Sequence, residues 1–456
     1  MTQLPLPTAS SSSSSVPAPA GPAVPFGRAM REAHFAFSPS YTPLNHGSYG
    51  TYPTCVGAAQ AAARREAEAA PDPFIVLEWA ARLRAPRALT AGLLGCATDD
   101  LVFVPNATTG IDTVLKNLRW RDGDVILAYE TVYDSVRAGL DWVAEMAGGA
   151  VRVEVVPVPA PLSDDAFVDA VTAVADRINN GGGGAGERVR LAVVDTVVSM
   201  PGLRAPFERL VPALRARGAL VLVDGAHGVG HVPVDLAALR PDFFVTNLHK
   251  WLFVPRGAAA LYVAAHRQHL VRSTLPTSYR FRRNAGSGST EPDAHSFVEL
   301  FDFTATLDMT NFLTVEAALD FRTRICGGEE AIRRYCFAVA REGGEAAAQV
   351  LGTEVMDAPG SCMRECNFAN VRLPIEIGEA GAEGQVAPAH AAKVCPWIKA
   401  TGVAEAGCYF QVCVYRGAFW WRLSGMIYVD VDDFRRGAVA LKGLCERVAK
   451  GEFLEA

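Results

Sequence analysis

The stretch Asp224-Gly225-Ala226-His227, followed by Asn247-Leu248-His249-Lys250-Trp251, decides the fold of this chain. Each segment closes an apolar run, residues 219–223 in the first case and 243–246 in the second. Such runs are typical of buried parallel strands, and ligands of open α/β sheets bind beyond the carboxyl ends of those strands. The sequence therefore predicts a mostly parallel sheet with a carboxylate and a lysine at one edge.

An acid followed by a lysine is the arrangement that pyridoxal phosphate (PLP) chemistry requires. The aldehyde of this cofactor needs a lysine amine for its Schiff base, and its ring nitrogen needs a carboxylate that keeps it protonated. Lys250 and Asp224 fit these two catalytic roles. Taken singly, Asp224 could instead cap a helix, and Lys250 could be a solvated surface lysine. The apolar neighbours of Lys250 favour the PLP interpretation, because an unpaired buried ammonium is costly.

Composition indicates a large globular protein. The chain has 456 residues, half of them hydrophobic, and a net charge of −6, so a large domain with a smaller one is expected. Neither the charge nor the length of the apolar runs indicates nucleic acid or a membrane as partner. Residues 1–25 are rich in Ser, Pro and Ala and lack the features of a secretory signal. We predict a disordered tail and a cytoplasmic protein, with an organellar transit peptide as the alternative.

The ten cysteines show no paired CxxC spacing. No metal site is therefore predicted, and reduced thiols in a reducing compartment are expected.

Alternating apolar runs and helical patterns from about residue 98 predict an α/β architecture. We expect an N-terminal segment that contributes to the active site over 26–70, a large PLP-binding domain over 71–310 and a small α+β domain over 311–456. The predicted strands are 101–104, 125–128, 151–156, 190–195, 219–223, 243–246, 258–263, 370–373 and 421–428. The predicted helices are 109–118, 134–146, 165–178, 207–217 and 315–341.

Several further residues fall at predicted carboxyl ends of strands. Residues 105–110 join a strand to a helix, where free N–H groups and the hydroxyls of Thr108 and Thr109 can hold a phosphate. Ordinary helix capping is the alternative interpretation. Tyr133 follows the next strand and is predicted to stack on the cofactor ring as a further catalytic residue, with Tyr129 as its competitor.

Two histidines and one arginine complete the candidates. His227 is predicted to contact the cofactor ring or its phenolic oxygen, and His249 to bind phosphate, although each could be a buried structural histidine. Arg422 lies within an apolar run, and a buried guanidinium demands an anion. An amino-acid α-carboxylate would satisfy it, as would a structural salt bridge.

Together these residues resemble the class V aminotransferase family, the branch of fold-type-I PLP enzymes that includes isopenicillin N epimerase-like proteins and cysteine desulfurases. Residues 44–50 look like its opening motif, 106–110 like its phosphate cup, 224–227 like its ring-nitrogen motif and 249–251 like its Schiff-base motif. The resemblance implies that Asn45 and His46 bind substrate. It also implies a homodimer with shared active sites.

Within that branch, residues 199–202, 276–278 and 362–374 look most like the fungal lyases that cleave hercynylcysteine sulfoxide in ergothioneine biosynthesis. This resemblance implies β-elimination to a sulfenic acid, pyruvate and ammonia. Residues 303–308 look like the segment that reaches the neighbouring subunit's phosphate, which gives Thr306 a cofactor-binding role. Many relatives have an arginine at the position of Leu307 and a hydroxyl residue at that of Asn247.

Other functions remain open at this point. A cysteine desulfurase or selenocysteine lyase would need a mobile cysteine such as Cys362, and an epimerase would need a base on each face of the ring. A binding protein without chemistry is a further alternative, which the pairing of Asp224 with Lys250 argues against. Cys55 is a candidate proton donor. Tyr279, Phe281, Arg282 and Arg283 are candidates for the substrate entrance, where aromatic faces would suit a trimethylammonium group.

Overall fold

A seven-stranded sheet forms the centre of the molecule. The structure is a computed structural model that describes residues 22–182, 184, 186–277, 296–379 and 384–455. Across the sheet the strands are Leu101–Val104, Ala259–Val263, Phe243–Asn247, Leu220–Asp224, Arg188–Asp195, Asp124–Tyr129 and Val151–Val156. Only Ala259–Val263 runs antiparallel to its two neighbours. The predicted mostly parallel sheet is confirmed.

The strands of this sheet are apolar on both faces because both faces are buried. Along one strand Val221 and Val223 enter one hydrophobic core, whereas Leu220 and Leu222 enter another on the opposite side. This is the arrangement expected when helices cover both sides of a parallel sheet. It leaves the carboxyl ends of the strands as the place where polar side chains can meet.

The C-terminal part of the chain forms a second sheet. Its four strands, in spatial order, are Gln385–Val386, Phe368–Ile377, Ala418–Ser424 and Val412–Tyr415. Helices Glu329–Leu351 and Val431–Ala449 pack against each other and against this sheet. The predicted α+β character of this region matches that arrangement.

The helices of the molecule complete the layers around the two sheets. The longer ones are Thr54–Ala69, Arg84–Leu94, Ala107–Asn117, Asp134–Met146, Asp164–Arg177, Phe207–Ala216, Glu329–Leu351, Ala391–Ala406 and Val431–Ala449. Among the described residues no helix combines the length and the apolar character needed to cross a membrane.

Two predicted elements were wrong in extent. The single helix predicted over 315–341 is broken after Cys326, because Gly327 and Gly328 have φ values of 80° and 94°. Such values suit glycine and do not fit an α-helix. The strand predicted over 421–428 ends at Ser424, and the backbone N–H of that residue pairs with Leu44 of the opening segment instead.

Candidate active site

A cavity of about 180 Å³ lies at the carboxyl ends of the central strands. Six predicted residues line it: Thr108, Tyr133, Asp224, His227, His249 and Lys250. Residues that the sequence argument did not single out line it as well, among them Ser48, Tyr49, Asp195 and Ser199. The topology therefore brings most of the predicted cofactor site together.

Lys250 is a buried amine held in place through both its side chain and its backbone. Its Nζ lies 3.1 Å from Nε2 of His227, and its carbonyl oxygen accepts a hydrogen bond from Nε2 of His46. Burial lowers the pKa of Lys250 to about 8, with Arg422 acting in the same direction and Asp224 opposing it. About a tenth of the amine is thus neutral at pH 7, far more than for an ordinary lysine, and the neutral form is the one that attacks a carbonyl.

Asp224 occupies the end of its strand and is fully enclosed. One carboxyl oxygen accepts a hydrogen bond of 2.9 Å from the backbone N–H of Ala226. Burial raises the pKa of Asp224, whereas the Ala226 N–H and the charge of Lys250 lower it. The site therefore supports a carboxylate here that is able to pair with a cationic ring nitrogen.

Asp195 is a second carboxyl that the sequence argument missed. It lies opposite Asp224 in the register of two parallel strands and lines the same cavity. Its Oδ2 atom is buried without a hydrogen-bond partner among the described residues. Burial and the negative charge of Asp224 raise its pKa well above the ordinary range. An acidic residue ending an apolar run is the same signal that identified Asp224, so the sequence did carry it.

The phosphate end of the site is built on the first turn of helix Ala107–Asn117. Asn106 caps this helix by accepting a 2.8 Å hydrogen bond from Thr109 N–H, and Asn247 Oδ1 accepts one of 2.9 Å from Ala107 N–H. Asn247 thus secures the helix start through its carbonyl oxygen. Thr108 faces the cavity, with its hydroxyl 3.0 Å from that of Ser135.

Two residues predicted to contact the phosphate make other hydrogen bonds in this structure. Thr109 does not line the Lys250 cavity, and its hydroxyl donates to Asn106 Oδ1. His249 lies in the cavity, but its Nδ1 donates to the Ala258 carbonyl at 3.0 Å, and burial lowers the pKa of the ring to about 4. With the proton on Nδ1, the neutral ring presents a lone pair at Nε2 toward the cavity, and the phosphate contact of His249 stays a prediction.

The two tyrosines that compete for the stacking role lie in different environments. Tyr133 precedes helix Asp134–Met146, is 48% exposed and lines the cavity. Tyr129 is buried within its strand, where its hydroxyl accepts a hydrogen bond from the backbone N–H of Asp195. Only Tyr133 is placed where its ring could cover a ligand.

Arg422 is a buried cation that the protein surrounds with neutral oxygens. Its guanidinium donates to Ser199 O at 2.7 Å, to Asn45 Oδ1 at 2.8 Å and to Ser48 Oγ at 3.0 Å. Its Nε is buried without a partner in the described part of the chain, and no salt bridge to it is found there. Burial lowers its pKa to about 10, which still leaves it charged at neutral pH. A structural salt bridge is thus not what the arginine makes.

Other predicted residues lie outside the Lys250 cavity. His46 supports Lys250, since Tyr428 Oη at 2.5 Å and the Lys250 carbonyl occupy its two ring nitrogens. His46 also lines the neighbouring cleft described below, so its predicted contact with substrate stays a prediction. Asn45 reaches the site through Arg422. Thr306 is exposed and absent from the cavity lining of its own chain. The entrance residues 279–283 lie outside the described residues.

A second cleft of about 360 Å³ adjoins the cavity, and the two share Tyr49. Aromatic rings dominate its lining: Phe37, Tyr41, Tyr49, Tyr409 and Tyr428. Arg256 lies at its edge and donates to the carbonyl of Gly50. This cleft could not be predicted from the sequence, because its rings come from opposite ends of the chain.

Comparison with known proteins agrees with this geometry. The sequence model described as "Aminotransferase class-V" matches residues 76–321. The chain belongs to the class V aminotransferase family. It is 37% identical to the L-cysteine desulfhydrase-like protein lolT1 of Epichloe uncinata, over 94% of this chain and 98% of that protein. It is 30% identical to the hercynylcysteine sulfoxide lyase of Schizosaccharomyces pombe, over 92% of this chain and 98% of that protein.

Solved structures support the fold. The complex of the cystine C–S lyase C-DES with cysteine persulfide matches with a TM-score of 0.70 and 19% identity, over 88% of this chain and 97% of that one. The cysteine desulfurase CsdA of Escherichia coli matches with a TM-score of 0.67 and 18% identity, over 92% of this chain and 98% of that one. The predicted fold-type-I architecture, PLP as cofactor and a carbon–sulfur lyase as enzyme class are confirmed.

The residues present fit PLP. Lys250 supplies an amine with a lowered pKa, Asp224 a carboxylate and helix Ala107–Asn117 an N-terminus beside the Thr108 hydroxyl. In the same cavity, one carboxyl oxygen of Asp195 has no hydrogen-bond partner among the described residues, so it is available to a polar group of the cofactor.

Proposed function

We propose that this protein cleaves the carbon–sulfur bond of an S-substituted cysteine sulfoxide, with hercynylcysteine sulfoxide as substrate in ergothioneine biosynthesis. The products would be a sulfenic acid, pyruvate and ammonia. The observation that carries the proposal is the cleft rich in aromatic rings that shares Tyr49 with the Lys250 cavity. Free cysteine has no group to fill such a cleft, whereas a cationic or aromatic S-substituent would contact its rings.

Arg422 would bind the α-carboxylate, the group that all amino-acid substrates share. Its three neutral acceptors leave its positive charge without a counter-ion, so an α-carboxylate reaching Ser48 and Ser199 would approach an uncompensated buried cation. The same acceptors fix the direction of the guanidinium. The side chain of such an amino acid is then free to enter the aromatic cleft past Tyr49.

The chain's own groups divide the proposed reaction between them. Lys250 and Asp224 would hold PLP, which when bound supplies an electron sink for the substrate α-carbon. With PLP bound and the substrate in place, the neutral Nζ of Lys250 would remove the substrate α-proton. The electron pair of the broken C–H bond forms the new carbon–carbon double bond, and the pair of the C–S bond leaves with sulfur. Water then converts the three-carbon fragment to pyruvate and ammonia.

A cysteine desulfurase is a poorer match to the contacts of Cys362. Its Sγ lies 4.0 Å from the Arg204 carbonyl, and burial raises the pKa of its thiol to about 12. A sulfur acceptor needs an accessible thiolate near the cofactor. Cys362 is absent from the cavity lining, and so is Cys55, the candidate proton donor.

We further propose a homodimer whose active sites are shared. Large apolar side chains stand exposed around the phosphate end of the site: Tyr133, Trp142, Leu275 and Leu307. Trp142, Leu275 and Leu307 line one cleft with Thr108, at the end of the segment predicted to cross to a neighbour. A cytoplasmic location is proposed as well, because all ten cysteines, each within the described ranges, are unpaired.

The function is tested by giving PLP-loaded protein hercynylcysteine sulfoxide, L-cysteine or isopenicillin N separately, with a reductant, and measuring pyruvate, sulfide and stereochemistry. Pyruvate from the first substrate alone supports the proposal. Sulfide from cysteine at comparable kcat/KM, or inversion of isopenicillin N, would replace it. Tyr409→Ala should raise KM for the conjugate while leaving any residual turnover of cysteine unchanged, and Lys250→Ala is the inactive control.

Shared sites are tested by mixing two inactive variants, Lys250→Ala and Thr306→Asp. Random exchange of subunits would restore about a quarter of the wild-type sites if residue 306 completes its neighbour's site. No recovery, with dimers verified by light scattering, would mean that each subunit is complete alone.

A further inference from the structure

The indole of Trp251 approaches the ring of His227 from the side opposite Lys250. Trp251 Nε1 is 3.0 Å from His227 Nδ1, and Lys250 Nζ is 3.1 Å from His227 Nε2. An indole N–H donates and never accepts, so Nδ1 must be the acceptor. In a neutral imidazole the remaining proton then lies on Nε2 and points at Lys250.

We propose that Trp251 is a positioning residue that fixes the tautomer of His227 and thereby favours the neutral, reactive form of the Lys250 amine. A proton on Nε2 needs a lone pair on its partner, and a lysine has one only as the neutral amine. In the opposite tautomer, Nε2 would accept a hydrogen bond from the ammonium and stabilise the unreactive charged form. The direction of one indole hydrogen bond therefore sets the charge state that the amine prefers.

The surroundings remove the third possibility, a doubly protonated His227. The ring is fully buried, and burial lowers its pKa well below the ordinary value, with the cations Lys250 and Arg422 acting in the same direction. His231 and His46 face it as further titratable groups. The groups that face Lys250 itself are Asp224, which favours its charged form, Arg422, which opposes it, and His249, whose pKa burial lowers to about 4.

The packing around Trp251 fixes the orientation of its indole ring. Its ring is wholly buried and packs at 4.2 Å from the ring of His231 and at 5.4 Å from that of Phe368. His231 donates from Nδ1 to the His227 carbonyl at 2.9 Å while its Nε2 accepts from Asn367 N–H at 2.7 Å. Both the ring and the backbone of His227 are thus fixed from the same side.

The inference goes beyond the proposed function and does not depend on the substrate. The test uses the full-length protein freed of PLP. The chain has six lysines, so labelling of Lys250 by acetic anhydride can be followed by mass spectrometry across pH, with exposed Lys442 as internal standard. Trp251→Phe should slow labelling of Lys250 at pH 7 about tenfold, which corresponds to a pKa raised by about one unit. Labelling of Lys442 should not change.

A second background separates a tautomer effect from general disturbance. In His227→Phe, which has no ring nitrogen, adding Trp251→Phe should produce no further change in Lys250 labelling. Equal slowing in both backgrounds, or no slowing in the wild-type background, would overturn the proposal. If Trp251→Phe does not fold, as judged by circular dichroism, nitrogen NMR of His227 in the wild-type protein decides: a proton on Nε2 supports the proposal, and one on Nδ1 refutes it.

Discussion

Asp195→Asn should change how the stability of the cofactor-free protein depends on pH. Asp195 is fully buried beside Asp224, and these two causes raise its pKa well above the ordinary value of about 3.9. As pH rises above 4, the unfolded chain loses this proton while the folded chain keeps it. The wild-type protein therefore loses stability with rising pH until the folded-state pKa is reached.

The size of the effect follows from linkage. One proton kept by the folded state costs about 1.4 kcal/mol of unfolding free energy per pH unit. Asparagine has no proton to lose, so the stability of Asp195→Asn minus that of the wild type should increase with pH at up to this slope, and should be constant below about pH 4. An amide nitrogen left without an acceptor would add about 1–3 kcal/mol of cost at every pH. The slope is therefore the quantity to measure.

The assay is the thermal unfolding midpoint of cofactor-free protein between pH 3.5 and pH 8, recorded for wild type, Asp195→Asn and the exposed control Asp134→Asn. A difference between Asp195→Asn and wild type that stays flat across this range would refute the reasoning, whatever its sign. It would mean that Asp195 ionises as readily in the folded protein as in the unfolded chain.

Three other substitutions test the site with separate readouts. Arg422→Met should raise KM for the conjugate substrate about 100-fold while kcat falls less, because it removes charge-assisted bonds to the α-carboxylate; steady-state kinetics would detect it. Gly202→Ala would place a Cβ 2.6 Å from Arg422 Cδ and 2.8 Å from Phe368 Cγ, so a loss of about 1–3 kcal/mol in unfolding free energy and a raised KM are expected. Gly443→Ala, with nothing within 4 Å of its new Cβ, is the control for an added methyl group; it should leave KM unchanged and, because it lies within a helix, should not lower the unfolding free energy. Cys362→Ser should retain full lyase activity, and loss of turnover would instead favour a sulfur-accepting role.

The parts of the site that could be predicted are those fixed by local rules. Asp224 and Lys250 each follow an apolar run, and the carboxyl ends of parallel strands meet at one edge, so their proximity followed from the pattern. The start of helix Ala107–Asn117 was predicted within two residues for a similar reason, because a small polar residue closed a strand. Asp195 also ends an apolar run, so the same pattern was sufficient to place it at this edge of the sheet.

The parts that could not be predicted depend on contacts between distant segments. His46 reaches the Lys250 carbonyl over 204 positions of sequence and Tyr428 over 382. Its support of the lysine backbone follows from these two partners and from no local pattern. In the same way, Asn247 differs from the hydroxyl residue of many relatives, but only the fold reveals that its oxygen binds Ala107 N–H.

Two unlike buried cations explain how this site can serve both cofactor and substrate. Burial lowers the pKa of Lys250 to about 8, so its neutral form is accessible near neutral pH, and it faces His227, whose pKa is held well below the ordinary value. Arg422 keeps its charge in an equally buried position because its pKa falls only to about 10 and three neutral oxygens solvate it. Because lysine and arginine differ this much in basicity, the same degree of burial produces a nucleophile at one position and an anion receptor at the other.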